Sequence, residues 1–178
     1  MFDSQYRFKG RHAYRVDRLV SAFDGKSKAS LFKRNIDVYL NAPLVGFLYG
    51  RRADLDNTKD PEKNQVYDEN VMGDMVTRYS PDLMFNFEMI MLLDKDYEPD
   101  EEKRIDKAFR YAGKNPEDEK RFHEFVRGGV DVLYEKLIEG ASEPEDYINN
   151  LYDFVEDFNE KFNEEVDIDT ITKLCTNR

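Results

Sequence analysis

Two acidic runs place oxygen-bearing side chains at every second position, which is the spacing of ligands in a calcium-binding loop. The run that begins at Asp54 has Lys59 at its sixth position and Gln65 at its twelfth, where such a loop needs a glycine and a bidentate glutamate. The run that begins at Asp94 has proline and isoleucine at these positions. We therefore predict that neither run binds calcium and that the protein needs no metal.

Nucleophiles and general bases are scarce. The chain has two histidines, His12 and His123, and one cysteine, Cys175, and none of them lies in a recognisable catalytic or metal-binding motif. Carboxylate pairs are too abundant in this sequence to indicate a site. A protein that is not an enzyme and uses no cofactor is the resulting prediction.

One glycine pair, Gly128-Gly129, is unexpected because it falls within a strong helical pattern rather than after a strand, where a phosphate-binding loop would lie. Each glycine there costs about 1 kcal/mol relative to alanine. The favoured explanation is the close approach of a neighbouring helix, and the alternative is a kink that exposes Arg127 to a partner.

Positive charge is concentrated in the first third of the chain. Residues 1–52 carry 11 Lys and Arg against 4 Asp and Glu, whereas residues 53–178 carry 16 against 34. Aromatic side chains alternate with the basic ones, a combination that phosphate neutralisation and base stacking require. The candidate contact residues for a protein partner or a nucleic acid are Lys9, Arg11, Lys33, Arg34, Arg51, Arg52 and Arg127.

Three interpretations of this charge split stay open. The favoured one pairs the basic helices with the acidic C-terminal helices, within one molecule or across a homodimer. The others are binding to DNA or another nucleic acid, and binding to a separate acidic partner. The overall pI of about 4.8 speaks against nucleic-acid binding, because such domains are commonly basic.

Three segments, residues 31–40, 46–52 and 125–137, resemble small helical accessory proteins found beside bacterial DNA-modification and phage-defence systems, the DNA phosphorothioation-associated type in particular. The resemblance extends over roughly residues 30–147, and the helix with Arg-Gly-Gly is its most specific part. It implies a non-enzymatic helper of a DNA-processing complex, and it carries over no catalytic or binding residue.

The leading functional hypothesis is therefore an accessory or adaptor protein that acts by protein–protein interaction. The alternatives are direct nucleic-acid binding through the basic first third and an acidic DNA mimic. An adaptor predicts an exposed apolar or arginine-rich patch, whereas a mimic predicts a regular exposed stripe of carboxylates.

The elements that must position these residues are helices, because apolar side chains recur at steps of three and four. We predict one all-α domain over residues 1–178, a bundle of about six to eight helices with Leu83–Leu93 at its centre. Only Tyr6–Lys9 is a candidate for an extended segment, and Asp169–Cys175 for a last short helix. Arg51–Gln65 is predicted as one long polar loop.

A cytoplasmic location without membrane contact is expected from two features. The sequence after Met1 lacks the apolar region of a signal peptide. The longest apolar runs, such as Ile90–Leu93, are far shorter than a bilayer-spanning helix.

Overall fold

The computed structural model describes residues 1–162, which are mostly helical. The two strands are β1, Tyr6–Lys9, and β2, Asp68–Val71. The helices are α1, Gly10–Val20; α2, Asn35–Leu48; α3, Gly73–Arg78; α4, Ser80–Leu93; α5, Glu101–Ile105; α6, Pro116–Leu137; and α7, Pro144–Phe162. A π-helical turn, Asp106–Arg110, continues directly from α5. The number of helices lies within the predicted range, and the predicted Asp169–Cys175 helix lies outside the described residues.

A small sheet corrects the expectation of a purely all-α fold. Strand β1 pairs antiparallel with β2, with Tyr6 opposite Val71 and Lys9 opposite Asp68. The extended tendency of β1 was predicted from sequence, but its partner was not. Strand β2 reads Asp-Glu-Asn-Val, which has no apolar alternation, and its pairing depends on a segment distant in the chain.

Helix α6 lies at the centre of the fold, and α2 packs closely against it. Twelve of the 22 residues of α6 are buried. A Cβ at Gly129 would overlap the carbonyl oxygen of Ala42 in α2, and one at Gly128 would overlap the carbonyl oxygen of Arg51. The close-approach explanation of the glycine pair is confirmed, because only glycine leaves room for these backbone contacts.

Helix α4 is a core helix, but it does not occupy the centre that the sequence predicted for it. Leu83, Phe87 and Ile90 are fully buried, whereas Phe85 and Leu93 are exposed. The helix lies beside α2 and the π-helical turn. Its apolar residues on all sides therefore do not indicate burial on all sides, and the central position belongs to α6.

The predicted long loop is present between α2 and β2, and hydrogen bonds fasten it to two helices. The backbone N–H of Ala53 donates to the carbonyl of Glu124 in α6 at 3.0 Å. The carboxylate of Asp56 accepts from the backbone N–H of Arg11, in the first turn of α1, at 2.6 Å. The loop thereby joins α1 to α6 from outside.

Helix α7 packs on the outside of the fold. Tyr147 is its only buried residue, and the tyrosine ring stacks on Phe23 with the ring centroids 5.0 Å apart. The remaining inward contacts are made by half-buried side chains such as Phe154, whose ring lies 6.3 Å from that of Tyr49. Most of the surface of α7 is consequently left uncovered.

Candidate functional site

The seven predicted contact residues fall into three groups, according to what each side chain contacts in the structure. Four of them form ion pairs within the chain, one is buried, and two are exposed. The geometry of each group decides which of them is free to contact another molecule.

A buried carboxylate joins α1 to α6. Asp131 of α6 is only 3% exposed, and its Oδ2 lies 3.3 Å from the Arg11 guanidinium. The second oxygen contacts Arg15 and lies 3.2 Å from Nε2 of the fully buried His12. Burial raises the pKa of Asp131, but the imidazole of His12 and the guanidinium of Arg15 outweigh burial and hold the pKa below its usual range. Arg11 is therefore engaged within the molecule.

Two further predicted arginines, at the start of the long loop that follows α2, also pair with α6. The Arg51 guanidinium lies 2.9 Å from Oε1 of Glu135, and that of Arg52 lies 3.3 Å from Oε2 of Glu124. Both arginine side chains are about half exposed, so each pair contributes little to stability. The pairs do reduce the positive charge that these residues offer to an outside ligand.

Arg127 lies in the interior rather than on an exposed kink. It is 7% exposed, and its Nε donates to the carbonyl of Ala53 at 2.8 Å. This hydrogen bond fixes the start of the long loop against α6. Its buried position removes Arg127 from the candidate contact surface.

The remaining three predicted residues lie on the outer surface. Arg34 pairs with Asp37 at 2.7 Å, one helical turn away at the start of α2. Lys9 and Lys33 are exposed, and within residues 1–162 neither forms an ion pair. These two lysines are the part of the predicted basic set that keeps its charge uncompensated.

An aromatic cluster that sequence reasoning missed holds β1 against α2 and α6. The ring of Tyr6 stacks on Tyr39 at 4.3 Å and on His123 at 4.9 Å, and the Tyr39 hydroxyl lies 3.1 Å from Nε2 of His123. Burial, assisted by the charge of Arg127, lowers the pKa of His123 to about 4. Burial also raises the pKa of Tyr6 to about 12. Both groups are uncharged at neutral pH, as suits a packed cluster.

An exposed apolar surface lies on one face of α7. Four large side chains, here called the α7 stripe, are each more than two-fifths exposed: Ile148, Leu151, Tyr152 and Val155. Their spacing of three, one and three residues places them on one face of the helix. In the sequence, Ile148, Leu151 and Val155 belong to the apolar pattern that predicts this helix, and the pattern does not distinguish exposed from buried positions. The apolar arc of α7 is wider than the face that packs on the rest of the protein. This width was the feature of the sequence that could have indicated exposed apolar residues.

A row of carboxylates borders the stripe. The carboxylate row consists of Glu145, Asp153, Glu156 and Glu160, all exposed. Within residues 1–162 none of the four forms an ion pair, although Glu156 accepts a hydrogen bond from the Tyr152 hydroxyl. The arrangement offers an apolar surface with uncompensated negative charge along one edge.

Comparison with known proteins gives no relative. No family model, no curated protein and no solved structure matches the chain. The resemblance to DNA-modification accessory proteins therefore stays a prediction.

Two absences within residues 1–162 bear on the kind of site. No group of three or more His, Cys, Asp or Glu side chains within residues 1–162 is arranged to hold a metal ion. No helix in the same part of the chain is both long and apolar enough to cross a bilayer. The α7 stripe and its carboxylate row are a candidate contact surface of the described residues.

Proposed function

We propose that this protein is a non-enzymatic accessory or adaptor protein that binds a partner protein through the α7 stripe. The observation that carries the proposal is the exposure of four large apolar side chains on one helical face. A single exposed apolar residue is ordinary, but a contiguous set on one face is typical of an interaction surface. Burying each such side chain contributes about 1.5–3 kcal/mol to association before the costs of binding.

The internal ion pairs support this choice over direct nucleic-acid binding. Asp131, Glu124 and Glu135 of α6 engage much of the positive charge that a phosphate backbone would require. Within residues 1–162, α7 has four carboxylates without an ion pair against one such lysine, Lys161, and this net negative charge would repel DNA. A setting in a bacterial DNA-modification or phage-defence complex is part of the proposal, and it rests on the sequence resemblance of residues 30–147.

An acidic DNA mimic is the second candidate, and the carboxylate row is the observation that favours it. A mimic would offer its carboxylates to the cationic channel of a DNA-binding protein. Its binding would depend on the row and be insensitive to the apolar stripe. The two candidates therefore respond differently to substitutions on adjacent faces of the same helix.

Affinity capture from the native host tests the proposal. The full chain is compared with the double variant Ile148→Ser/Val155→Ser and with the control Asn149→Ser, which changes an exposed residue of α7 outside the stripe. We expect one or more proteins to be captured stoichiometrically by the full chain and the control and lost from the double variant. Equal capture by all three chains would contradict an apolar docking surface and favour the mimic.

Direct DNA binding is measured in parallel. Fluorescence anisotropy with labelled duplex and single-stranded DNA should show no binding at micromolar protein in about 150 mM salt. Binding in this range that decreases when Lys9 and Lys33 are replaced by Gln would support the nucleic-acid alternative.

A further inference from the structure

The negative charge beside the α7 stripe indicates what kind of partner surface would bind there. Resting on the proposed function, we infer that the stripe receives an amphipathic helix of the partner that carries lysine or arginine along one edge of its apolar face.

The two edges of the stripe differ. On one edge lies the face of α7 that packs on the protein, with the buried Tyr147 and the half-buried Phe154. On the other edge lie Glu145 and Glu156, followed by Glu160 and Asp153 as the helical period continues around α7. The apolar surface is therefore bordered by negative charge on its solvent side only.

Among the side chains of residues 1–162, no lysine or arginine pairs with the carboxylates of the row. The acidic residues of α7 outside the row are already engaged: Asp157 pairs with Lys136 at 2.9 Å, and Asp146 accepts hydrogen bonds from the backbone N–H groups of Ser142 and Glu143. A partner that covered the stripe without supplying positive charge would partly desolvate the row without compensation. Basic residues at the rim would remove that cost and direct the encounter.

The shape of the surface favours a helix. Helix α7 is 19 residues long, and the stripe extends over about two turns of its exposed face. Large apolar side chains spaced along one helix are matched by a second helix with the same period, as in helix-in-groove recognition. A segment of about three to four turns is long enough to cover the stripe and reach the row.

A second copy of this chain fits poorly as the occupant. Helix α7 contains six Asp and Glu but only one Lys, so packing two copies of it would bring carboxylates together. The basic first third of a second copy is a poor substitute, because α6 of its own chain already engages four of its arginines. Charge complementarity therefore favours a different, basic partner.

Binding of three synthetic helices to the full-length protein tests the inference. Each fluorescein-labelled peptide has about 18 residues. One has a leucine face with a lysine edge, one has the same face with a glutamate edge, and one has the composition of the first in scrambled order. We expect the lysine-edged helix to bind at least about tenfold more tightly than either of the others.

Matched variants locate the binding. Ile148→Ser/Val155→Ser should weaken the lysine-edged helix by about tenfold or more, because it removes apolar contacts. Glu156→Gln/Glu160→Gln should weaken it about three- to tenfold in low salt and less at about 300 mM, because salt screens rim charges. The control Glu101→Gln/Glu102→Gln removes two exposed carboxylates of α5 and should change the affinity less than about twofold. Unchanged thermal unfolding confirms that each variant is folded.

Several results would overturn the inference. If the scrambled peptide binds as well as the lysine-edged helix, or the α5 control weakens it equally, the binding is unspecific attraction to an acidic protein. If light scattering shows a dimer that Ile148→Ser/Val155→Ser converts to a monomer, the occupant is a second copy. If the stripe variant loses its host partner while the peptides do not discriminate, the proposed function stands and only the basic helix is excluded.

Discussion

Helices α6 and α7 are both long and amphipathic, and both begin with acidic residues, yet the fold uses them in opposite ways. Helix α6 buries twelve residues and supplies the carboxylates that pair with Arg11, Arg51 and Arg52. Helix α7 buries one residue and leaves four carboxylates without an ion pair in the described part of the chain. Four arginines of the first third, Arg11, Arg15, Arg51 and Arg52, are therefore engaged by α6, whereas four carboxylates of α7 have no cation partner within residues 1–162.

The comparison shows why amphipathicity alone does not identify a contact surface. In α6 all nine residues from Phe125 to Leu133 are buried, because α1, α2 and the long loop pack around this part of the helix, and glycine permits α2 to approach its backbone. In α7 the apolar arc is wider than the surface on which the helix packs, and the excess is the stripe. A surface of this kind is recognised only when the neighbours of each face are known.

The largest expected effect concerns the α2–α6 contact. Gly129→Ala would place a methyl group on the carbonyl oxygen of Ala42, so the two central helices must separate. We expect a loss of more than about 3 kcal/mol in the free energy of unfolding, although alanine is the better helix former. Urea unfolding followed by circular dichroism measures it. The control Gly25→Ala, where a Cβ meets nothing within 4 Å, should stay within about 0.5 kcal/mol.

Replacing an aspartate by asparagine should lower the free energy of unfolding more in α6 than in α7. Asp131→Asn removes a buried charge that contacts two arginines and His12, and we expect it to cost about 2–4 kcal/mol. Asp157→Asn removes an exposed pair with Lys136 and should cost less than about 1 kcal/mol. Similar losses for the two variants would contradict the contrast between these helices.

Much of the fold could be predicted from sequence because its signals are local. Apolar periodicity indicated most of the helices, and Asn115 caps α6 by accepting from the Glu117 N–H at 3.1 Å. The close approach at Gly128-Gly129 was also inferred correctly, because glycine within a helical pattern needs a packing reason. The β2 strand was not predictable, because its pairing is determined by a distant segment.

The candidate surface could not be located in the same way. Charge counts showed that the first third is basic, but they did not show that Asp131 lies between Arg11 and Arg15. Periodicity showed that α7 has an apolar face, but burial depends on which elements reach that face. Both properties are determined by contacts between residues far apart in the chain.

The buried His123 of α6 should make the stability of the protein depend on pH, which tests how tightly this helix is packed. Because its pKa is about 4 in the folded protein and near 6.5 in a model peptide, the unfolded chain takes up a proton first as the pH falls. The free energy of unfolding should therefore decrease between about pH 6.5 and pH 4, by about 1–3 kcal/mol, and this contribution should be constant above pH 7. Urea midpoints measured across this range give the profile.

The variant His123→Gln isolates this effect. Glutamine can still accept a hydrogen bond from the Tyr39 hydroxyl but does not titrate. Since His12 is present in both chains, the difference between the two profiles reports His123 alone. A difference that does not vary with pH would show that the His123 ring is equally easy to protonate in the folded and unfolded states.

The smallest expected effect is on the α7 stripe itself. Val155 is 56% exposed, so Val155→Ser should change the free energy of unfolding by less than about 0.5 kcal/mol. The same substitution at the fully buried Val130 of α6 should cost about 2–4 kcal/mol, because it leaves a cavity and buries a hydroxyl. Urea unfolding of the two variants under identical conditions makes the comparison.

If Val155→Ser costs more than about 1 kcal/mol in the free energy of unfolding, the side chain is covered in the isolated protein and the stripe is not free to receive a partner. A neutral result together with loss of partner capture by the stripe double variant would mean that these apolar residues stabilise a complex rather than the fold.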